Sequence, residues 1–130
     1  MQMLKERKGF TLIELLMVVA IISIIAAVAI PTILSTRGAA LESKAKANLR
    51  TLSFAQTDYF AKYGEFTSWA TLVGGDADGG KYLDSRWTAP FTEDGTIYAE
   101  TEVGNAAGYE GSATLPNGTV LTIDETGKIT

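Results

Sequence analysis

Residues Leu15 to Leu34 form a run of 20 uncharged, almost wholly apolar residues, and a lone carboxylate, Glu14, stands at its head. The next charge after Glu14 is Arg37. At 1.5 Å per residue the run makes about 30 Å of helix, the thickness of a bilayer's hydrocarbon core. A carboxylate at that depth costs roughly 2.5–3.5 kcal/mol on insertion scales. The segment therefore belongs in a membrane or among other apolar helices, and Glu14 needs a partner there.

The helical pattern resumes beyond Pro31. Leu41, Ala45, Leu49, Leu52, Ala55, Tyr59 and Tyr63 recur three or four residues apart, a stripe on one helix face. Glu42, Lys46 and Arg50 fall on another face at i,i+4 spacing, as solvated positions should. Gly64 is placed to stop the helix in a left-handed conformation. One helix from Phe10 to Tyr63 is expected, on the order of 80 Å long. Its first part, residues 10–34, is apolar all round and its second, 35–63, is amphipathic. Pro31 removes a backbone hydrogen bond, so a kink or local melting is expected near Ala27 to Pro31.

About 65 residues remain for a head, 64–130. A core of that size is marginal alone, so the head should bury its apolar face on the helix. Residues 64–95 read as loop, with Gly74 to Gly80 a polar turn. Asp76, Asp78 and Asp84 offer oxygen ligands but lack the ligand ladder and distal Glu of an EF-hand, so a surface turn is the better reading. From 96 to 130 the pattern alternates. Thr96 to Val103, Tyr109 to Leu115 and Thr119 to Asp124 read as strands, with Gly127 to Thr130 a candidate fourth. Asn117-Gly118 is a two-residue hairpin signal, and Asp124 to Gly127 a second turn. The expected fold is α+β: a long N-terminal helix packed on a small antiparallel sheet. Phe54, Tyr59, Phe60, Tyr63, Phe66 and Trp69 gather around the helix end as contacts between helix and head.

Composition narrows the chemistry. There is no Cys and no His, which removes thiol nucleophiles, imidazole bases and the soft metal ligands. The pairs Glu93-Asp94 and Glu100/Glu102, the latter at period two on one strand face, read as solubilising acids. No enzyme, cofactor or metal site is called for. Residues 51–130 hold four cations against twelve acids, a net of −8, which argues against a nucleic-acid surface. No P-loop is present, so any work needing nucleotide falls to a partner.

The residues Gly9-Phe10-Thr11-Leu12-Ile13-Glu14, behind Lys5, Arg7 and Lys8, resemble the class III signal of type IV pilins and of the pseudopilins of type II secretion. The resemblance covers roughly the first 55 residues. It implies a leader, residues 1–9, cut after Gly9 by a prepilin peptidase that also methylates the new N-terminal Phe10. It implies a chain inserted once in the inner membrane with its N-terminus cytoplasmic, then passed by an assembly platform and an ATPase into a homopolymeric filament. In that family the Glu at the Glu14 position pairs with the terminal amine of a neighbouring subunit, and the Pro at Pro31 bends the helix. Many such pilins close the C-terminal region with a disulfide, which this chain lacks. Trp87-Thr88-Ala89-Pro90-Phe91 only loosely resembles the aromatic-proline segment of major pseudopilins, which favours a pilin over a pseudopilin. Two blander readings compete. Ala27-Val28-Ala29 looks like a secretory cleavage site, but Glu14 would then lie inside the apolar region. A simple membrane-anchored extracytoplasmic binding module explains length and topology but neither Glu14 nor the Gly9-Phe10 junction.

Overall fold

The computed structural model describes residues 9–130; residues 1–8 of the leader expected over 1–9, with Lys5, Arg7 and Lys8, lie outside the described residues. Helix α1 spans Leu12–Tyr63 and continues without a break through Pro31 and Gly38. The chain divides into two compact units, one ending at Arg37 and the other Gly38–Thr130.

In the first unit the helix has no core to join. Leu12, Ile13, Leu15, Leu16, Val18, Ile22 and Ile25 are all exposed, and so are Ile24, Val28, Ile30, Ile33 and Leu34. Its hydroxyls are nonetheless satisfied by their own backbone. Ser23 donates to Val19 O at 2.7 Å, Thr32 to Val28 O at 3.1 Å and Thr36 to Thr32 O at 2.8 Å. A helix that hides its polar groups this way is fit for lipid or for an apolar helix bundle. By length and composition it is long and apolar enough to cross a membrane.

In the second unit the predicted stripe is the core. Ala45, Leu49, Leu52, Ala55 and Tyr59 are buried, with Leu41 and Tyr63 packed at its edges. Two polar residues share that face, and each serves a loop. Gln56 is fully buried and grips the backbone of Thr67 twice, donating to its carbonyl at 2.5 Å and accepting from its N–H at 3.0 Å. Asn48 donates to Glu93 Oε2 and to Tyr98 OH, both at 2.9 Å. Gly64 ends the helix at φ 75°, as its position predicts.

The sheet has four antiparallel strands in sequence order: β1 Phe91–Glu93, β2 Thr96–Glu102, β3 Glu110–Thr114 and β4 Val120–Asp124. Three expected strands are present within a residue at each end. Their inner face, with Tyr98, Ala113, Leu121 and Ile123, is buried. Gly111 is required there, because a Cβ would come within 2.6 Å of Leu52 Cδ2 and 3.0 Å of Trp69.

The stretch 64–95 is more structured than the loop expected. It contains a short helix α2, Trp69–Gly74, capped by Ser68, a single 3-10 turn at Ser85–Trp87, and β1. Burial explains the difference, since Trp69, Leu72, Leu83 and Trp87 all enter the core. β1 and β2 join through Asp94-Gly95, both at positive φ, the geometry of a two-residue type I′ turn. The Asn117-Gly118 hairpin is a three-residue loop instead. Leu115 N–H donates to Thr119 O at 2.8 Å, and only Gly118 takes a positive φ. Gly127 to Thr130 forms no named strand, but Ile129 bridges Ile123 and Thr130 exchanges backbone bonds with Thr122.

Candidate functional site

The site marked by the sequence lies at the start of α1. Gly9 and Phe10 precede the helix and are fully accessible, Phe10 being 90% exposed. A Cβ on Gly9 would meet nothing within 4 Å. Access is what a cleaving or methylating enzyme needs at that junction.

Thr11 and Glu14 form a reciprocal cap. Thr11 O accepts from Leu15 N–H at 3.3 Å, the first bond of the helix. The Thr11 hydroxyl accepts from Glu14 N–H at 3.3 Å, while Glu14 Oε2 accepts from Thr11 N–H at 3.0 Å and from the Thr11 hydroxyl at 2.7 Å. Thr11-x-x-Glu14 is a capping box, and it satisfies two N–H groups that the helix itself leaves unpaired. The carboxylate also sits at the positive end of the helix dipole. Glu14 therefore has a local partner in the single chain, which the reading of it as a bare charge overlooked. All its bonds use Oε2, and Oε1 has no partner among the described residues. One oxygen holds the helix start and one stays open to a cation.

The other acidic groups named from the sequence do structural work. Glu93 and Asp94 meet Lys44 at 3.3 and 2.5 Å, and Arg86 reaches Glu93 at 3.2 Å. The Asn48 hydrogen bond first, with Lys44 close behind, keeps the Glu93 carboxyl below its ordinary range. Glu100 and Glu102 do not share a strand face. A register shift between them pairs Glu100 with Gly111 and Glu102 with Glu110. Glu100 turns inward, accepts from Trp69 N–H at 2.9 Å, and burial pushes its carboxyl up. Glu102 is exposed.

Asp76 organises the turn between α2 and β1. Its carboxylate is wholly covered and receives Lys62 at 2.8 Å, Tyr82 OH at 2.7 Å, Gly80 N–H at 2.7 Å and Asp78 N–H at 3.0 Å. Lys62 also pairs with Asp78 at 2.8 Å, and Tyr63 OH donates to Asp78 at 3.1 Å. The Lys62 ammonium, then the Tyr82 hydroxyl, holds the Asp76 carboxyl well below its usual range. The same bond raises the Tyr82 phenol to about 12. Asp76 and Asp78 thus converge on a lysine of α1, and Asp84 caps the 3-10 turn through Arg86 N–H at 3.0 Å.

The aromatics divide into two sets. At the helix end Tyr59 meets Tyr63 at 4.6 Å and Tyr82 at 5.6 Å, and Phe60 stacks on Phe66 at 4.6 Å. Deeper in the head, Trp69, Trp87, Phe91 and Tyr98 are linked by ring contacts of 4.6 to 6.5 Å. Phe54 belongs to neither set: it is 71% exposed, on the helix face away from the core.

The family model for the prokaryotic N-terminal methylation motif matches residues 4–30. The chain is 42% identical over 69 residues to the type IV major pilin protein PilA of Myxococcus xanthus, covering 53% of this chain and 31% of that protein. It is 43% identical over 65 residues to the type IV wide pilus major component PilA4 of Thermus thermophilus, half of each chain. A fimbrial protein of Neisseria meningitidis is 39% identical over 82 residues, 61% of this chain and 48% of the relative. The chain thus spans half or less of the length of the curated relatives it matches.

Proposed function

We propose that this chain, type IV pilin-like in motif, fold and relatives, is a structural subunit of a type IV pilus-like filament. The observation that carries this reading is the unpartnered first half of α1, apolar all round and headed by Glu14. Such a surface is stable in lipid and equally in a bundle of its own copies, so passage between them costs little net hydrophobic energy.

The proposed steps are those that the resemblance to type IV pilins implies. The leader is cut after Gly9 by a prepilin peptidase, and the freed Phe10 amine is methylated. Before assembly α1 spans the inner membrane from a cytoplasmic N-terminus. An assembly platform and its ATPase then extract the subunit into the growing filament, and Pro31 is where the stem bends or unwinds as it packs. Glu14 Oε1 pairs with the Phe10 ammonium of a neighbouring copy, while Oε2 keeps the cap. Two charges that are each costly in an apolar bundle neutralise only at the correct axial register, so the pair acts as a register device. The head takes no catalytic part; its acids serve turns, caps and ion pairs.

Intact mass on filaments sheared from the native cells tests the reading. An abundant species beginning at methylated Phe10 is expected. A processed chain confined to membrane and periplasm would replace the pilus with a short secretion pseudopilus, and an unprocessed chain would leave an anchored module.

A further inference from the structure

In the Gly38–Thr130 unit, Lys46, Arg50 and Phe54 follow one another four residues apart on α1, opposite the buried stripe. Lys46 is answered by Glu42 at 2.6 Å, but Arg50 makes no ion pair among the described residues. Beside it stands Phe54, the most exposed large apolar side chain of the head unit. The sheet's outer face, on the other side of the same unit, is the counterpart. Glu102 lies directly opposite Glu110, and Glu110 directly opposite Asp124. Asp124 is engaged by Thr126 in the following turn, whereas Glu102 and Glu110 have no cation among the described residues. Like charges placed directly opposite destabilise a sheet, so this arrangement costs the isolated head something. Val103, 59% exposed, adjoins Glu102.

Each patch is thus an exposed apolar side chain beside an unanswered charge, and the two charges have opposite sign. We infer that the Arg50–Phe54 face of α1 docks onto the Glu102–Glu110 end of the sheet of a second copy, with Phe54 against Val103. The partner follows from the charges. A carboxylate row repels anionic lipid and nucleic acid, while a second copy supplies both halves of the contact in equal number. Because the patches lie on opposite faces of one layered unit, the contact is heterologous, and repetition gives an open helical series unless it closes into a ring. This rests on the pilus-subunit reading for its setting and adds a head-to-stem contact to the stem-to-stem packing.

The chain has no cysteine, so introduced thiols report cleanly. Full-length chain carrying Phe54→Cys and Val103→Cys, expressed in the native cells and oxidised with diamide, should give a ladder of dimers, trimers and longer species. Either single variant should stay monomeric. Filaments that yield only monomers overturn the docking and leave the subunit reading intact. Dimers from Phe54→Cys alone as abundant as those from the double variant overturn it too, because the contact would then be symmetric. A ladder from membranes of cells without filaments supports the docking and sinks the pilus reading; neither ladder nor filaments sinks both. Independently, Arg50→Glu should lower filament yield roughly tenfold, and adding Glu102→Lys with Glu110→Lys should restore it. Failure to restore overturns the pairing.

Discussion

One helix serves two environments in this molecule. Up to Arg37, α1 presents apolar side chains on every side and buries almost none of them; from Gly38 onward the same helix hides a stripe under a sheet and two tryptophans. The backbone does not distinguish the halves, being continuous helix in both. What differs is where the partner comes from. The head carries its own in the same chain, and the first half must obtain one from lipid or from other copies. Mutations should therefore act on assembly in one half and on folding in the other.

The largest effect should come from Glu14→Gln. Gln preserves the capping box with Thr11 but removes the charge. Helix content and membrane insertion should be unchanged, while filament growth fails, because a buried ammonium left unpaired costs about 3–5 kcal/mol. Normal filaments from this variant, seen by electron microscopy, would reduce Glu14 to a helix cap. Next, Leu52→Ala should destabilise the head by roughly 2–5 kcal/mol in urea titrations, as truncation of a wholly buried Leu does. Ile24→Ala, in the exposed half, should leave the head's unfolding midpoint where it was. Equal losses from the two would erase the contrast between the halves. Gly111→Ala should cost about 1–3 kcal/mol, since its Cβ must displace Leu52 or Trp69; an unchanged urea midpoint would mean that the helix–sheet contact yields freely. The smallest effect concerns pH. Asp76 is held below its usual 3.8 by Lys62 and Tyr82, so its contribution is complete above roughly pH 5 and is lost as acid protonates it. Asp76→Asn should lower the midpoint at pH 7 and make its fall into acid shallower than in the parent; parallel curves would show that Asp76 adds nothing.

Periodic features were legible from the residues: the α1 stripe, the Gly64 stop and three of the four strands each repeat a simple pattern over several residues. Other features follow from single short signals that stronger neighbours hid. Thr11-x-x-Glu14 is a capping box in plain view, yet Glu14 drew attention as a charge and Thr11 none. Asp94-Gly95 is as good a turn signal as Asn117-Gly118 and marks β1, a strand of only three residues. α2 was concealed by the glycine-rich stretch that follows it. The rest lay beyond local pattern altogether. A register shift near Thr101 turns Glu100 inward and Glu102 outward, which alternation alone cannot foresee. Lys62 finding Asp76, and Gln56 finding Thr67, are tertiary matches between segments with no mutual periodicity. Phe54 misled because its spacing from other aromatics suggested company, while its angle on the helix points the opposite way.

The polar links between α1 and the head bear on how the head would carry a mechanical load. Lys44 and Asn48 both hold Glu93, Gln56 holds Thr67 and Lys62 holds Asp76, and together these four residues span about 27 Å of helix. Covalently the helix continues into the head only at Gly64. A pull along the helix axis would nonetheless strain all four links and the core contacts between them at once, in shear, rather than peeling them apart in sequence from one end. Under tension the head would hold until several bonds fail together, and the glycine that ends the helix would be spared the full force.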